Sequence, residues 1–185
     1  MVGRLSSFLV KSSIVLMSLV SCLYVGAQPR DKGHFLVKVG EKLPHFQYVS
    51  IEGDTLDTDF LKGQVVVVVF AASWCPFSGH QLQVLESKLW GRRKGNPDFT
   101  MIGICEDNDK ESREEFLRQR KENGITIPFA FDEDEKIYRQ FVTPHGSVTR
   151  TVLVDRNGII ADMHDVHTRR DEWQLRRMVS YLLKH

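Results

Sequence analysis

One cysteine stands in the part of the sequence best suited to chemistry. Cys75 follows the run VVVVVFAASW and precedes Pro76, and a helical pattern begins directly after it. The run is too uniformly apolar to have a face in water, so it predicts a central strand that is buried on both sides. Cys75 is therefore expected at the junction between a buried strand and the first turn of a helix.

A thiol at this junction is suited to nucleophilic chemistry. The first turn of a helix carries unpaired backbone N–H groups and the positive end of the helix dipole, and both stabilise a thiolate. Pro76 is compatible with the first helical position, where its missing N–H is not needed. Leu82, Leu85 and Leu89 share one face of the segment 79–90, and this spacing predicts the helix itself.

Strand and helix patterns alternate along the rest of the chain. Strand patterns occupy 46–51, 99–105, 125–131, 148–154 and 159–163. Helix patterns occupy 57–61, 109–122 and 171–183, and the segment 132–141 is predicted to hold a short helix. Phe116 and Leu117 are predicted to face inward. Glu106, Asp107 and Asp109 are interpreted as a solvated loop and a helix cap. This order predicts an α/β fold, a three-layer sandwich with a central mixed β-sheet flanked by helices.

The amino terminus predicts an export signal rather than part of the fold. Arg4 and Lys11 precede an apolar stretch that is too short for a comfortable transmembrane helix. Two cleavage sites stay open. The residues LVSC resemble a lipobox, which would leave Cys22 lipidated and attached to the membrane, whereas VGA before Gln28 resembles an ordinary signal-peptidase site. An uncleaved anchor helix is the remaining alternative.

These features predict a signal sequence at 1–27, a linker at 28–38 and one domain at 39–185. The domain is expected to be exported, either periplasmic or membrane-anchored on the extracytoplasmic side, where the compartment is oxidising. The net charge of +1 gives no indication of a nucleic-acid partner.

Two cysteines remain in the predicted domain, and two do not form a disulfide framework. Cys105 ends the strand expected beside the central one. Because the carboxyl ends of parallel strands meet at one edge of a sheet, Cys105 could approach Cys75 as a resolving thiol. The other interpretation is a small, buried apolar side chain.

The histidines do not predict a metal site. His80 and His145 could flank the thiol or face solvent. His164 and His167 have Asp165 between them, but adjacent residues of a strand point to opposite faces and no third strong ligand is suitably spaced. The sequence predicts no metal and no cofactor.

Several motifs resemble those of the thioredoxin superfamily. They are VGEKLPHF at 39–46, LKGQ at 61–64, FAASWCP at 70–76 and VLVDRNG at 152–158. The chain looks most similar to the redoxin branch, which groups exported thioredoxin-like proteins with alkyl hydroperoxide reductases and thiol-specific antioxidant proteins. The resemblance implies a thioredoxin-like fold and a thiol–disulfide oxidoreductase whose nucleophile is Cys75 and whose partners are protein disulfides or thiols.

The resemblance also implies which residues contact the substrate. Trp74, Pro76 and Phe77 flank the nucleophile in the motif. Val148 and Thr149 fall where the family places the residues that face it, and the backbone at the Val148 position pairs with the bound substrate.

Three residues depart from the family pattern. Ser78 replaces the second cysteine, and its hydroxyl can hydrogen-bond the thiolate but cannot attack a disulfide. Val69 replaces a buried acid, and Thr149 replaces a cis-proline, so the bond before it is expected to be trans. Resolution of a mixed disulfide would then require an external thiol reductant or Cys105.

Two alternatives to thiol exchange stay open. Peroxiredoxins also lack the proline, which favours a one-cysteine peroxidase, but Ala72 stands where they have threonine and Arg150 is one position out of register. The other alternative is a non-catalytic binding module that keeps the fold, since a fold does not fix a function.

Overall fold

The computed structural model describes residues 34–164 and 168–185, all within one unit at 33–185. The predicted signal sequence, including Cys22, and residues 28–33 of the predicted linker lie outside the described residues. Within the described ranges, no helix has the length and apolar character needed to cross a membrane.

The described residues form seven β-strands, four α-helices and three short 3-10 helices. The strands are β1 Gln47–Val49, β2 Thr55–Asp57, β3 Val65–Ala71, β4 Phe99–Cys105, β5 Phe129–Phe131, β6 Arg150–Val154 and β7 Ile160–His164. The α-helices are α1 Pro76–Lys88, α2 Lys110–Glu122, α3 Tyr138–Phe141 and α4 Arg169–Leu182. The 3-10 helices are Thr58–Leu61, Trp90–Arg92 and Glu133–Glu135.

Five of the strands form one mixed sheet with the order β5-β4-β3-β6-β7. The strands β3, β4 and β5 are parallel, whereas β6 and β7 are antiparallel to their neighbours. The carboxyl ends of β3, β4 and β5 therefore share one edge with the amino end of β6. The strands β1 and β2 form a separate hairpin. This arrangement confirms the predicted α/β sandwich with a central mixed sheet.

The valine run of β3 separates two hydrophobic clusters. Every residue of β3 is buried, and successive side chains point to opposite faces of the sheet. Val65, Val67 and Val69 pack with residues from α1, α2 and α4. Val66 and Val68 pack on the other face with α3 and the segment before β1. The run is uniformly apolar because helices or loops cover both faces.

The predicted strand at 125–131 is confined to β5, and its first half is not part of the sheet. Pro128 has no N–H to donate to a neighbouring strand. The amide of Ile127 donates instead to the Glu86 carboxylate of α1, at 3.1 Å. The apolar pattern was right about burial but wrong about strand pairing in this half.

One prediction on the helices is confirmed and one is wrong. The segment 132–141 holds a short helix, α3, as predicted, and α3 follows a turn in which Asp134 and Glu135 have φ angles of 60° and 56°. Leu117 was predicted to face inward but is 38% exposed, whereas Phe116 is buried as predicted. Adjacent residues on a helix differ by about 100° in direction, and the Phe116 ring occupies the inward position between α2 and the sheet.

Candidate functional site

Cys75 lies between the end of β3 and the start of α1, as predicted. It is the N-cap residue of α1, with φ −88° and ψ 116°, and Pro76 is the first residue of the helix. The loop from β3 turns at Ala72, whose carbonyl accepts a hydrogen bond from the Cys75 amide at 3.3 Å. The thiol is therefore placed at the amino terminus of a 13-residue helix.

The Cys75 thiol meets two hydroxyl groups. Its Sγ is 2.9 Å from Thr149 Oγ1, and Thr149 directly precedes β6 and is fully buried. Ser78 Oγ is 3.5 Å from the same Thr149 oxygen and accepts a hydrogen bond from the amide of Ala72. The peptide bond before Thr149 is trans, as expected for a residue other than proline. The structure thus brings Cys75, Ser78 and Thr149 together.

The surroundings of Cys75 favour its thiolate form. Burial raises the pKa of the thiol, because a charged sulfur loses solvation. The Thr149 hydroxyl, the backbone N–H of Phe77, and the side chain and backbone N–H of Ser78 lower it. These hydrogen bonds outweigh the effect of burial, so the pKa of Cys75 lies below its ordinary value. A thiol with a lowered pKa supplies more of the nucleophilic thiolate at neutral pH.

Two exposed aromatic residues, Trp74 and Phe77, flank Cys75 in the chain, and we call them the aromatic rim of the thiol. Trp74 is 64% exposed and Phe77 is 58% exposed, although both are large and apolar. Pro76 is also exposed, whereas the Val148 side chain is buried on the inner side. Cys75 itself is only 8% exposed, so a buried thiol lies between exposed residues of the chain.

Cys105 lies away from Cys75. It is fully buried and packs in the cluster on the α1 and α4 face of the sheet, whereas Cys75 packs in the cluster on the other face. The Cys105 S–H donates to Asp107 Oδ2 at 3.2 Å, and burial raises its pKa above the ordinary value. Both thiols are free. The structure therefore does not bring the predicted resolving thiol to the nucleophile.

Asp107 was interpreted as solvated, and this interpretation is wrong. The side chain is 1% exposed, and its carboxylate accepts hydrogen bonds from the amide and hydroxyl of Ser73 at 2.9 and 3.1 Å. Asp107 follows β4, so it ties the loop that precedes Cys75 to the neighbouring strand. Asp107 comes just after the carboxyl end of β4, and Cys75 lies at the same edge of the sheet. This position in the sequence could have indicated that Asp107 belongs to the site.

Glu106 was also interpreted as solvated and is buried. Its side chain is 8% exposed, and neither carboxyl oxygen has a hydrogen-bond partner among the described residues. Burial, followed by the charges of Asp132, Glu135 and Asp107, raises the pKa of Glu106 to about 9. The side chain is therefore a neutral acid at neutral pH. The third residue of this group, Asp109, does cap α2 as predicted, because its side chain accepts from the Ser112 amide.

A second buried polar pair joins α1 to β6. Gln81 Nε2 donates to Thr151 Oγ1 at 2.8 Å, and both side chains are fully buried. Thr151 is paired across the sheet with Val69, the position where the family resemblance leads one to expect an acid. Neither Gln81 nor Thr151 was predicted as a site residue, since a glutamine on a helix gives no sign of burial in the sequence.

The histidines do not join the thiol. His80 and His145 are both exposed. His164 is buried, and its Nε2 is 2.6 Å from Asp162 Oδ2. Asp165 and His167 lie outside the described residues.

Comparison with known proteins agrees with this geometry. The Redoxin family model matches residues 38–179. The chain belongs to the Redoxin family. This confirms the resemblance to the redoxin branch of the thioredoxin superfamily.

The individual relatives of this redoxin have low sequence identity to it. The thiol-disulfide oxidoreductase ResA of Bacillus thuringiensis (strain Al Hakam) is 22% identical over 126 residues, which are 68% of this chain and 69% of the relative. A solved structure described as a candidate protein disulfide isomerase from Bacteroides thetaiotaomicron has a TM-score of 0.76 and 29% identity, and the match covers 82% of this redoxin and 94% of that chain.

A candidate thiol:disulfide interchange protein DsbE from Chlorobium tepidum has a TM-score of 0.68 and 20% identity, over 80% of this redoxin and 99% of that chain. At this identity the similarity shows the fold alone. Both solved structures confirm the thioredoxin-like fold.

Proposed function

We propose that this redoxin is an exported thiol–disulfide oxidoreductase that works through one nucleophile, Cys75. The observation that carries the proposal is the contact of 2.9 Å between Cys75 Sγ and Thr149 Oγ1 at the amino terminus of α1. A hydroxyl in this position donates to the thiolate and holds it in place. Redoxin membership and the ResA relatives support an oxidoreductase activity.

In the first step, the Cys75 thiolate attacks one sulfur of a protein disulfide. The S–S bond of the substrate breaks, a mixed disulfide forms between Cys75 and the attacked sulfur, and the other substrate sulfur leaves as a thiolate that takes up a proton. Trp74 and Phe77 offer the substrate an exposed apolar surface beside Cys75. From the family resemblance, we expect the backbone at Val148 to pair with the substrate chain.

In the second step, the mixed disulfide is released by a thiol from outside the site. Ser78 occupies the position from which a resolving cysteine would act, and a hydroxyl does not displace a sulfur. One external thiolate attacks the Cys75 sulfur and releases the substrate thiol, and a second frees Cys75. The substrate disulfide gains two electrons, and the two external thiols are oxidised to a disulfide. If a substrate thiol attacks instead, the reaction is an isomerisation without net electron transfer.

The export part of the proposal is supported by the amino-terminal sequence. The apolar stretch preceded by Arg4 and Lys11 has the pattern of a signal sequence, and Cys22 would carry a lipid if the lipobox is used. Growing cells with radiolabelled fatty acid distinguishes the lipid-anchored form from the form produced by simple cleavage. Label that is lost in Cys22→Ala supports the lipid anchor, whereas an unlabelled protein that starts at Gln28 supports simple cleavage.

The thiol reaction is tested by trapping the mixed disulfide. The protein is mixed with a substrate protein containing scrambled disulfides and an external thiol, and the reaction is stopped with acid. We expect a mixed disulfide at Cys75 by mass spectrometry and no turnover in Cys75→Ala. Cys105→Ala is the matched control and is expected to retain turnover. Full activity in Cys75→Ala would refute the proposal.

One observation favours a second candidate, a one-cysteine peroxidase. The Thr149 hydroxyl stands beside the thiol, where the Ala72 side chain offers no such group. Among the residues that the structure describes, the other cysteine, Cys105, packs in a different cluster from Cys75. The Cys75 thiolate would attack a peroxide oxygen, the O–O bond would break, and a sulfenic acid and water or an alcohol would form. Stoichiometric peroxide that leaves Cys75 unmodified would exclude this candidate. A Cys75 that reacts with neither disulfide nor peroxide would favour a binding module.

A further inference from the structure

The solvent face of α4 carries a regular stripe of basic and aromatic residues. Five of the exposed residues in α4 and just after it form the stripe, and they are Arg170, Trp173, Arg177, Tyr181 and Lys184. They recur every three or four residues, so they share one face of the helix. Trp173 and Tyr181 are 57% and 62% exposed, and the Arg177 guanidinium lies 5.2 Å from the centre of the Trp173 ring.

The loop after α1 extends this stripe with further positive charge. Arg92, Arg93 and Lys94 are consecutive, and Arg93 Nη2 donates to Ser180 Oγ of α4 at 2.9 Å. Burial and the nearby charges of Arg176 and Arg92 lower the pKa of Arg93. Cations from the loop and from α4 are therefore crowded together on one surface.

The acidic groups of these elements are engaged in local contacts. Glu172 pairs with Arg176 at 3.1 Å, and Asp171 completes the capping box of Thr168. Glu86 of α1 accepts hydrogen bonds from Thr126. Since the whole chain has a net charge of only +1, this surface is far more basic than the composition indicates.

We propose that this surface, made of the α4 stripe and residues 92–94, docks the protein on a bilayer of anionic phospholipid. Arginine and lysine are attracted to anionic headgroups, and each contributes about 1 kcal/mol near such a surface. Exposed tryptophan and tyrosine favour the membrane interface, because their rings are apolar at one end and polar at the other. A nucleic-acid duplex would also attract the cations, but its bases are stacked on one another, so it offers the exposed rings of Trp173 and Tyr181 little apolar contact.

The position of the surface is compatible with thiol chemistry. Residues 92–94 follow the carboxyl end of α1, whereas Cys75 caps its amino end, and a helix of 13 residues is about 20 Å long. The carboxyl end of α4 lies at the same end as residues 92–94, as the bond from Arg93 to Ser180 shows. The stripe lies on the solvent face of α4, whose buried side packs in one cluster, whereas Cys75 packs in the cluster on the other face of the sheet. Docking through the stripe therefore leaves the thiol and its aromatic rim open to a partner.

The proposal is tested by flotation of the compact unit 33–185 with lipid vesicles. We expect binding to vesicles of phosphatidylcholine mixed with phosphatidylglycerol, weak binding to phosphatidylcholine alone, and loss of binding in high salt. The variant Arg177→Gln/Lys184→Gln should bind about 25-fold more weakly, from about fivefold for each charge. The matched control Lys62→Gln/Lys110→Gln removes two exposed cations from other elements and should bind like the parent.

A second measurement reports contact directly. Brominated lipid should quench the fluorescence of Trp173, and Trp173→Phe should lose that quenching. The variants Arg177→Gln/Lys184→Gln and Trp173→Phe should both keep the parent rate of Cys75 alkylation, which shows that their fold is retained. Equal binding to both kinds of vesicle, equal loss in both double variants, or binding to duplex DNA but not to anionic vesicles would overturn the proposal.

Discussion

The buried carboxyl of Glu106 makes the stability of this redoxin dependent on pH. Burial and the nearby acids Asp132, Glu135 and Asp107 raise its pKa from 4.5 to about 9. The unfolded chain releases the proton near the ordinary pKa, whereas the folded protein keeps it up to about pH 9. Between these values the folded state binds more protons, so a rise in pH favours unfolding.

The size of the effect follows from the pKa. Each pH unit above the ordinary pKa costs the folded state about 1.4 kcal/mol, so a protonated Glu106 costs about 3 kcal/mol at pH 7. Glu106→Gln has nearly the same shape and is neutral at every pH. It is expected to raise the free energy of unfolding by about 3 kcal/mol at pH 7 and to change it little below about pH 4.5.

Urea unfolding of the parent and Glu106→Gln across this pH range measures the difference. The comparison cancels the contribution of Asp132, whose pKa is also raised. Glu114→Gln is the matched control, because Glu114 is exposed and pairs with Lys110 only at the surface; its effect is expected to stay within about 1 kcal/mol. A difference between the parent and Glu106→Gln that does not grow with pH would refute the reasoning.

Three further variants test the site and the sheet. Thr149→Val removes a hydroxyl that donates to the thiolate, so the pKa of Cys75 should rise, read as a higher midpoint in the pH dependence of alkylation; an unchanged midpoint would contradict the role of Thr149. Asp107→Ala leaves the part-buried amide of Ser73 without its acceptor and should lower the free energy of unfolding by about 1–3 kcal/mol in urea, whereas a neutral result would show that the carboxylate is dispensable. Gly103→Ala should lower it by about 1–3 kcal/mol, because the new Cβ would lie 2.5 Å from the Phe129 ring; Gly79→Ala, with no atom within 4 Å of its Cβ, is the control and should not destabilise.

The sequence alone predicted the elements whose formation depends on local interactions. The valine run fixed β3 because its apolar β-branched residues suit a doubly covered strand. Pro76 and the leucine spacing fixed the start of α1, and with it the position of Cys75. Thr149 was placed opposite the thiol only through the family resemblance, since nothing local to the sequence relates it to Cys75.

The sequence did not predict the burial of side chains that are covered by distant parts of the chain. Glu106 and Asp107 have the composition of a solvated loop, but both are buried where β4 meets the loop before Cys75. The same limit applies to Cys105. Its strand was predicted correctly, yet the side of the sheet it faces depends on the register with β3, and that register places it away from Cys75.

The composition also does not show how the charges are distributed over the surface. A net charge of +1 gave no indication of an anionic partner. Residues 92–94 and the α4 stripe are about 80 residues apart in sequence, and the fold joins them through Arg93 and Ser180. A basic surface built from separate parts of the chain can be recognised only once the fold is known.

The reactivity of Cys75 is the central claim, and its alkylation rate as a function of pH tests it most directly. Mass spectrometry reads Cys75 and Cys105 in the same sample, so the buried Cys105 is the internal control. An ordinary thiol titrates near about pH 8.5. We expect Cys75 to have a midpoint clearly below this value while Cys105 stays unmodified. A midpoint at or above the ordinary value would contradict the proposed nucleophile and leave the fold as a binding module.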